Sequence, residues 1–337
     1  MLYSNIPDFS RMNDQRSTRT PDARSIPAQW HRPITPGVPH VAGPSRKSRR
    51  FIVMALVALL GGYFLLFGVN SSSGVIHALS NAAEQRAAEA AAQAAAAAQK
   101  ARMDTYATTV NKIIAEHTGQ DIAVSSVDVS DGAITSLGDN GTFTGASTAK
   151  LITAIAVLRQ VESGDISLTD KISGISVQTL LKNMVVNSDN AAWEALNGYL
   201  THETLADYMT RLGWTDYDPD VNTFIPADMA RLMQQFYTGK LVDSEHKQLL
   251  LSYMGQSIKQ DYIVGSVQQY GTGYTVYHKA GWLEGLMHDV AIISNGKKTI
   301  VLTIYTYTGY GVGDNADTQA TFHAITEAAM AAYFPVS

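Results

Sequence analysis

Residues 145–158 read GASTAKLITAIAVL. The pattern predicts a helix over 150–161 that opens on a serine and a lysine three residues apart. Positions i and i+3 of a helix share a face, so the Ser147 hydroxyl and the Lys150 amine meet there. A hydroxyl is a weak nucleophile until a neighbouring base takes its proton. A lysine can be that base once burial or a second cation depresses its pKa. Ser147 also stands at the helix start, where free backbone N–H groups and the helix dipole favour negative charge, as on a tetrahedral intermediate. Taken alone, a helix cap followed by a solvated lysine explains the same residues.

Two further segments carry chemistry. Asn187-Ser188-Asp189-Asn190 lies within LLKNMVVNSDNAAWEAL (180–196), and His278-Lys279-Ala280-Gly281-Trp282 ends a predicted strand. Each has a plain local reading: a helix start before AAWEAL, and an edge-strand charge. Their coexistence in this order is what makes them informative. Around them, strands are predicted at 122–129 and 133–137 across an Asp131-Gly132 turn, and helices dominate 146–237. Strands return at 274–279, 288–294 and 298–306, the last two joined at Asn295-Gly296, and a helix over 317–333 closes the chain. The expected fold class is α/β (α+β). A five-stranded antiparallel sheet is assembled from both ends of a 118–337 domain and flanked by helices, with a helical lobe inserted between.

The series Ser147-x-x-Lys150, Ser188-Asp189-Asn190 and Lys279-Ala280-Gly281 resembles the Ser-x-x-Lys, Ser-Asp-Asn and Lys-Thr-Gly signature of class A β-lactamases and penicillin-binding proteins. The likeness runs from about 120 to 337; STAKLITAIAVL resembles the family's nucleophile helix, and NTFIPADMARLM the helix after its omega loop. The resemblance implies a β-lactamase/transpeptidase-like fold and an acyl-enzyme on Ser147, with Lys150 as base or proton relay. It implies that Ser188 passes the proton to the leaving nitrogen, that Asn190 holds a substrate amide, and that Lys279 supplies positive potential. The N–H groups of Ser147 and Trp282, the latter just after Gly281, would form the oxyanion hole.

Three departures from that pattern matter. Ala280 lacks the hydroxyl expected in the third motif, and no arginine follows Arg231. Substrate-carboxylate capture then falls to Lys279, with Ser188 and with His278 or His288, and altered or weaker binding is expected. In place of a Glu-Pro-x-x-Asn segment stands Asp218-Pro219-Asp220-Val221-Asn222. Asp218 is the candidate base for deacylation and Asn222 its companion, although Asp, Pro and Asn are equally the stuff of an ordinary turn.

The N-terminal third reads differently. Residues 1–50 hold nine Lys/Arg against three Asp, a net +6 in a chain of net -5, and seven of its ten prolines. Such a stretch buries too little apolar surface to offset ordering its backbone and is expected to be a disordered cytoplasmic tail. Residues 51–69 are 19 uncharged residues behind Arg46-Lys47-Ser48-Arg49-Arg50. They fit a single-pass signal-anchor with the N-terminus inside and the domain outside, rather than a cleaved signal peptide. Residues 70–117 then form an Ala-rich spacer; if helical, 75–117 would reach about 65 Å from the membrane. No stripe of large apolar residues is expected in it before Ile113 and Ile114. The family resemblance places all this at a bacterial cell surface.

Several function classes drop out. Cysteine is absent, which excludes thiol nucleophiles and thiolate metal sites. The nine histidines lack metal-ligand spacing, no Gly-x-Ser-x-Gly elbow occurs, and nothing points to a cofactor or to nucleic acid. Gly309, Gly311 and Gly313 read as a flexible connection. Three readings stay open: a β-lactamase; a membrane-anchored penicillin-binding protein or peptidase acting on D-Ala-D-Ala peptides; and a catalytically weak sensor of β-lactams or wall fragments. Oligomeric state is not legible.

Overall fold

The computed structural model describes residues 72–309 and 316–335. The tail 1–50, the 51–69 span, and Gly311 with Gly313 lie outside the described residues. Among those described, no helix is long and apolar enough to cross a membrane. The chain divides into two units, 1–81 and 82–337, and the second holds every described strand.

Five strands form the sheet: β1 (Asp121–Asp128), β2 (Ile134–Gly138), β7 (Thr275–Leu283), β8 (Leu286–Ser294) and β9 (Thr299–Tyr307). Their order is β2-β1-β9-β8-β7 and every pairing is antiparallel. The two ends of the domain therefore meet at β1–β9, in the register Val124↔Ile304. Layers cover both faces, so the strands read as near-continuous apolar runs such as Ile300-Val301-Leu302 rather than alternating ones. The β7–β8 hairpin turns on Glu284-Gly285, so β7 runs on past the predicted end at 279, through Gly281 and Trp282.

Short pairs β3 (Phe143–Thr144) with β6 (Thr223–Phe224), and β4 (Lys171–Ile172) with β5 (Ile175–Ser176), decorate the inserted lobe. Its helices are α2 (Lys150–Ser163), α3 (Val177–Val186), α4 (Asn190–Leu200), α5 (His202–Arg211), α6 (Pro226–Tyr237) and α7 (Ser244–Met254). In α2 nine successive residues, Lys150 to Leu158, are buried. A helix apolar on all sides belongs in the centre of a core, and α2 is packed accordingly. The opposite face of the sheet carries α8 (Ile263–Tyr270) and α9 (Ala316–Tyr333).

The Ala-rich segment is helix α1 (Ser72–Glu116), and its side chains from 83 to 101 are exposed. One expectation about it fails. Met103, Tyr106, Val110, Ile113 and Ile114 form a stripe at helical spacing, with Tyr106 and Val110 fully buried in the core beside α9. The stripe starts well before Ile113, and Arg102 donates from Nε to the Ala332 carbonyl at 3.2 Å. Packing of the domain thus begins upstream of residue 118. The alanines dilute the stripe, and only its partner surface on α9 reveals it.

Phe236 of α6 is fully buried between the sheet and the lobe. Its replacement by Ala should cost about 3–5 kcal/mol, read as a lower midpoint in denaturant unfolding with an unchanged slope.

Candidate active site

The nucleophile turn is a single 3₁₀ turn, Ala146–Ala149, running directly into α2. Ala146 adopts a left-handed φ of 44°, an uncommon state for a residue with a Cβ. Surrounding bonds hold it. Gly145 N donates to Asn222 O at 2.8 Å, and Thr148 Oγ1 bonds both Gly145 O (2.6 Å) and the Tyr305 hydroxyl (2.8 Å). Gly145 must be glycine, since a Cβ there would lie 2.3 Å from the Phe224 ring.

Lys150 is 1% exposed, and its Nζ donates to Ser147 Oγ at 2.8 Å and to Asn190 Oδ1 at 2.7 Å. Burial lowers its pKa to about 8, with Asp189 opposing the shift. Near neutrality a fraction of the amine therefore carries a free lone pair against the Ser147 hydroxyl. The Trp193 ring, with its centroid 5.0 Å from Nζ, packs over it and donates from Nε1 to Thr153 Oγ1 at 2.9 Å.

Ser188 comes from the loop between α3 and α4 and has a left-handed φ of 57°. Asp189 caps α4 by accepting from Ala192 N at 3.1 Å, so the next residue, Asn190, begins the helix facing Lys150. Lys279 reaches the same place from edge strand β7. It is wholly buried and donates to Ser188 Oγ (3.0 Å) and to Ala280 O (2.7 Å). Burial lowers its pKa to about 7; Lys150 adds to the drop and Asp289 resists it.

Gly281 explains how β7 closes on the nucleophile. A Cβ at this position would stand 2.9 Å from the amide nitrogens of Ser147 and Thr148 and 3.1 Å from Gly145 O. Only glycine lets the strand backbone approach the turn so closely. Trp282 follows, partly exposed, with its ring 6.0 Å from Lys279 Nζ and 5.7 Å from Lys259 Nζ. The fold therefore brings Ser147, Lys150, Ser188, Asn190, Lys279, Gly281 and Trp282 around one cleft.

The 218–222 loop is also tied to the nucleophile turn, but through its backbone. β3 pairs with β6 and Asn222 O accepts from Gly145 N. Asn222 has a left-handed φ of 52°. The Asp218 side chain is exposed, and its carboxylate accepts from Asp220 N at 2.9 Å. No hydrogen bond joins that carboxylate to Ser147, Lys150 or Asn222 in this geometry.

The expectation that His278 or His288 helps capture a substrate carboxylate is corrected. Both are buried and committed to inward partners. His278 bonds Asp289 and Ser257 O; His288 Nε2 faces Thr144 O at 2.9 Å and its ring stacks on Tyr305. Strand alternation puts His278 on the face opposite Lys279. Ala280 likewise packs into the apolar layer with α8 and α9. Sequence reasoning also passed over Trp193, whose place one helical turn from Asn190 was the available signal.

A trio of potential metal ligands, Glu162, Asp243 and His246, brings its atoms within 4.8 Å. Those groups are already engaged: Arg159 pairs with Glu162 Oε2 at 3.0 Å, and Asp243 caps α7 through His246 N.

Comparison with known proteins fits this geometry. The beta-lactamase enzyme family matches residues 105–333. No curated protein matches the chain. Among solved structures, PBP-A aligns with a TM-score of 0.63 at 17% identity, covering 68% of this chain and 96% of that one. A mutant of PBP-A solved as an acyl-enzyme complex with penicillin G aligns at 0.62 and 16% identity, covering 69% and 97%. A beta-lactamase from Sphaerobacter thermophilus aligns at 0.59 and 23% identity, covering 69% and 98%. At such identities structural likeness speaks for the fold, and the family match, which spans most of the chain, speaks for kinship. The chain belongs to the beta-lactamase enzyme family and is a serine hydrolase of that family.

Proposed function

We propose that this domain hydrolyses β-lactams through an acyl-enzyme on Ser147. The observation that carries the reading is the doubled hydroxyl–amine pair: Ser147 with Lys150 at 2.8 Å, and Ser188 with Lys279 at 3.0 Å. Neutral Lys150 takes the Ser147 proton as Oγ bonds the lactam carbonyl carbon. The C–N bond then breaks, and the nitrogen receives a proton through Ser188. Asn190 and charged Lys279 orient the substrate, and the N–H groups of Ser147 and Trp282 stabilise the oxyanion. Water then cleaves the ester and restores Ser147. The family match favours this reading over a D-Ala-D-Ala peptidase or a non-catalytic sensor. We further propose that residues 51–69 anchor the chain in a membrane, with the domain outside the cell.

The direct test is incubation of the full-length protein with a penicillin, following intact mass and antibiotic concentration together. Turnover that disappears in Ser147→Ala is expected; unchanged turnover in that variant rejects the mechanism.

A second expectation follows from the two amines. Lys150 must be neutral, so rate rises as pH climbs through about 8, whereas Lys279 must be charged, so rate falls as pH climbs through about 7. Their product gives a bell in kcat/KM that is broad between pH 7 and 8 and falls on either side, and a profile flat from about pH 5 to about pH 10 would exclude the assignment.

Deacylation should be the slow step, because among the described residues no carboxylate hydrogen-bonds Ser147 or Lys150. A mass adduct on Ser147 should then persist during turnover. If Asp218 leaves Asp220 N to activate the hydrolytic water, Asp218→Asn lengthens the adduct's life; an unchanged lifetime rejects that role.

A further inference from the structure

Behind β7, on the side away from the nucleophile, lies a buried pair that the reaction does not touch. His278 is 1% exposed and Asp289 wholly buried. His278 Nδ1 stands 3.0 Å from Asp289 Oδ1, and Nε2 stands 3.3 Å from Ser257 O. Both partners are acceptors only, so both bonds form only when the ring carries two protons. His288 makes the contrast. Its ring nitrogens also face carbonyls, Met287 O at 2.7 Å and Thr144 O at 2.9 Å, but no carboxylate bonds it, and burial pushes its pKa down to about 4.

The contacts continue from His278 into the opposite wall of the cleft. The other Asp289 oxygen accepts from Ile263 N at the start of α8 (3.2 Å). Ser257, itself buried, donates from Oγ to Val185 O at 3.3 Å, and Ile258 N donates to Val186 O at 3.1 Å. Val186 stands two residues before Ser188, whose Oγ receives the Lys279 ammonium. A closed circuit thus runs from β8 through β7 and the α7–α8 connection to the α3–α4 loop, and back to β7.

We propose that His278 is a positioning residue, a buried imidazolium clasped between Asp289 and the Ser257 carbonyl that sets the separation of β7 from the Ser188 loop. The role rests on the reading of Ser188 as the proton relay. The charged group facing His278 is Asp289 from β8, with the Ser257 carbonyl from the α7–α8 connection; Lys279, its neighbour in β7, points to the other face and its charge opposes protonation. Burial pulls the imidazole pKa down, but Asp289's charge and hydrogen bond, helped by Ser257 O, outweigh it and leave the pKa raised. The clasp is therefore complete below the raised value and opens as pH rises through it.

The experiment uses full-length protein and the variant His278→Asn, whose amide keeps a donor near the Nδ1 position but loses the second N–H. Met330→Ala, a core truncation in α9, serves as a control of comparable destabilisation. Ring ¹⁵N spectra at pH 6 should find two N–H protons on His278. Amide exchange at residues 183–190 should accelerate about tenfold in His278→Asn, the order expected for one charge-assisted hydrogen bond, and not in Met330→Ala. Acylation by a penicillin should slow through kcat with KM little changed, by about tenfold. A singly protonated His278, or exchange that His278→Asn and Met330→Ala alter alike, overturns the proposal. An inert wild type whose 183–190 segment still depends on His278 would sink the β-lactam reading and leave the clasp in place.

Discussion

Two ammonium groups excluded from water at one point govern the cleft. Lys150 and Lys279 are 1% and 0% exposed; burial lowers the proton affinity of both, and the Lys150 charge lowers that of Lys279 further. Burying a charge is costly unless its hydrogen-bonding capacity is met. Here it is met by hydroxyls and carbonyl-type oxygens, from Ser147, Asn190, Ser188 and Ala280, rather than by carboxylates. A carboxylate bonded to either amine would hold it fully charged and remove its use as a base. Neutral acceptors leave the proton balanced near physiological pH. The nearest negative groups, Asp189 and Asp289, act at longer range and keep that balance from tipping to two neutral amines.

The fold serves this arrangement by bringing distant parts of the chain to one edge. Lys150 is held by the central helix, Lys279 by the outermost strand, and Ser188 and Asn190 by the lobe between them. Because the sheet is closed by β1–β9 pairing, β7 becomes an edge with one side unpaired. That free edge faces the nucleophile turn, and Gly281 removes the side chain that would hold the two apart.

Much of this was legible beforehand. The motif residues and all five strands were readable because turn chemistry and strand patterns are local. What escaped depends on partners remote in sequence. The Tyr106–Val110 stripe is diluted by alanine and is defined by α9. Histidines beside Lys279 looked available for substrate, yet strand alternation turns His278 to the opposite face, where Asp289 waits. Asp218 was expected as the base for deacylation, but the 218–222 loop joins the nucleophile turn through Asn222 O while the carboxylate closes a local turn on Asp220 N.

The same alternation bears on the missing hydroxyl of the third motif. Ala280 faces the layer formed by α8 and α9 together with Met287 and Ala291, and is wholly buried there. A threonine in that position would need an acceptor among apolar neighbours, or would have to reach around the strand edge. Asp289, cross-strand from Ala280, is already taken by His278 and Ile263 N. Alanine is therefore the residue that this layer accommodates without an unsatisfied hydroxyl. Its consequence is that the Lys279 ammonium confronts a substrate carboxylate without hydroxyl help from its own motif. An arriving carboxylate would itself favour the charged form of Lys279. Substrate binding and the protonation state that catalysis requires are in this way coupled at a single amine.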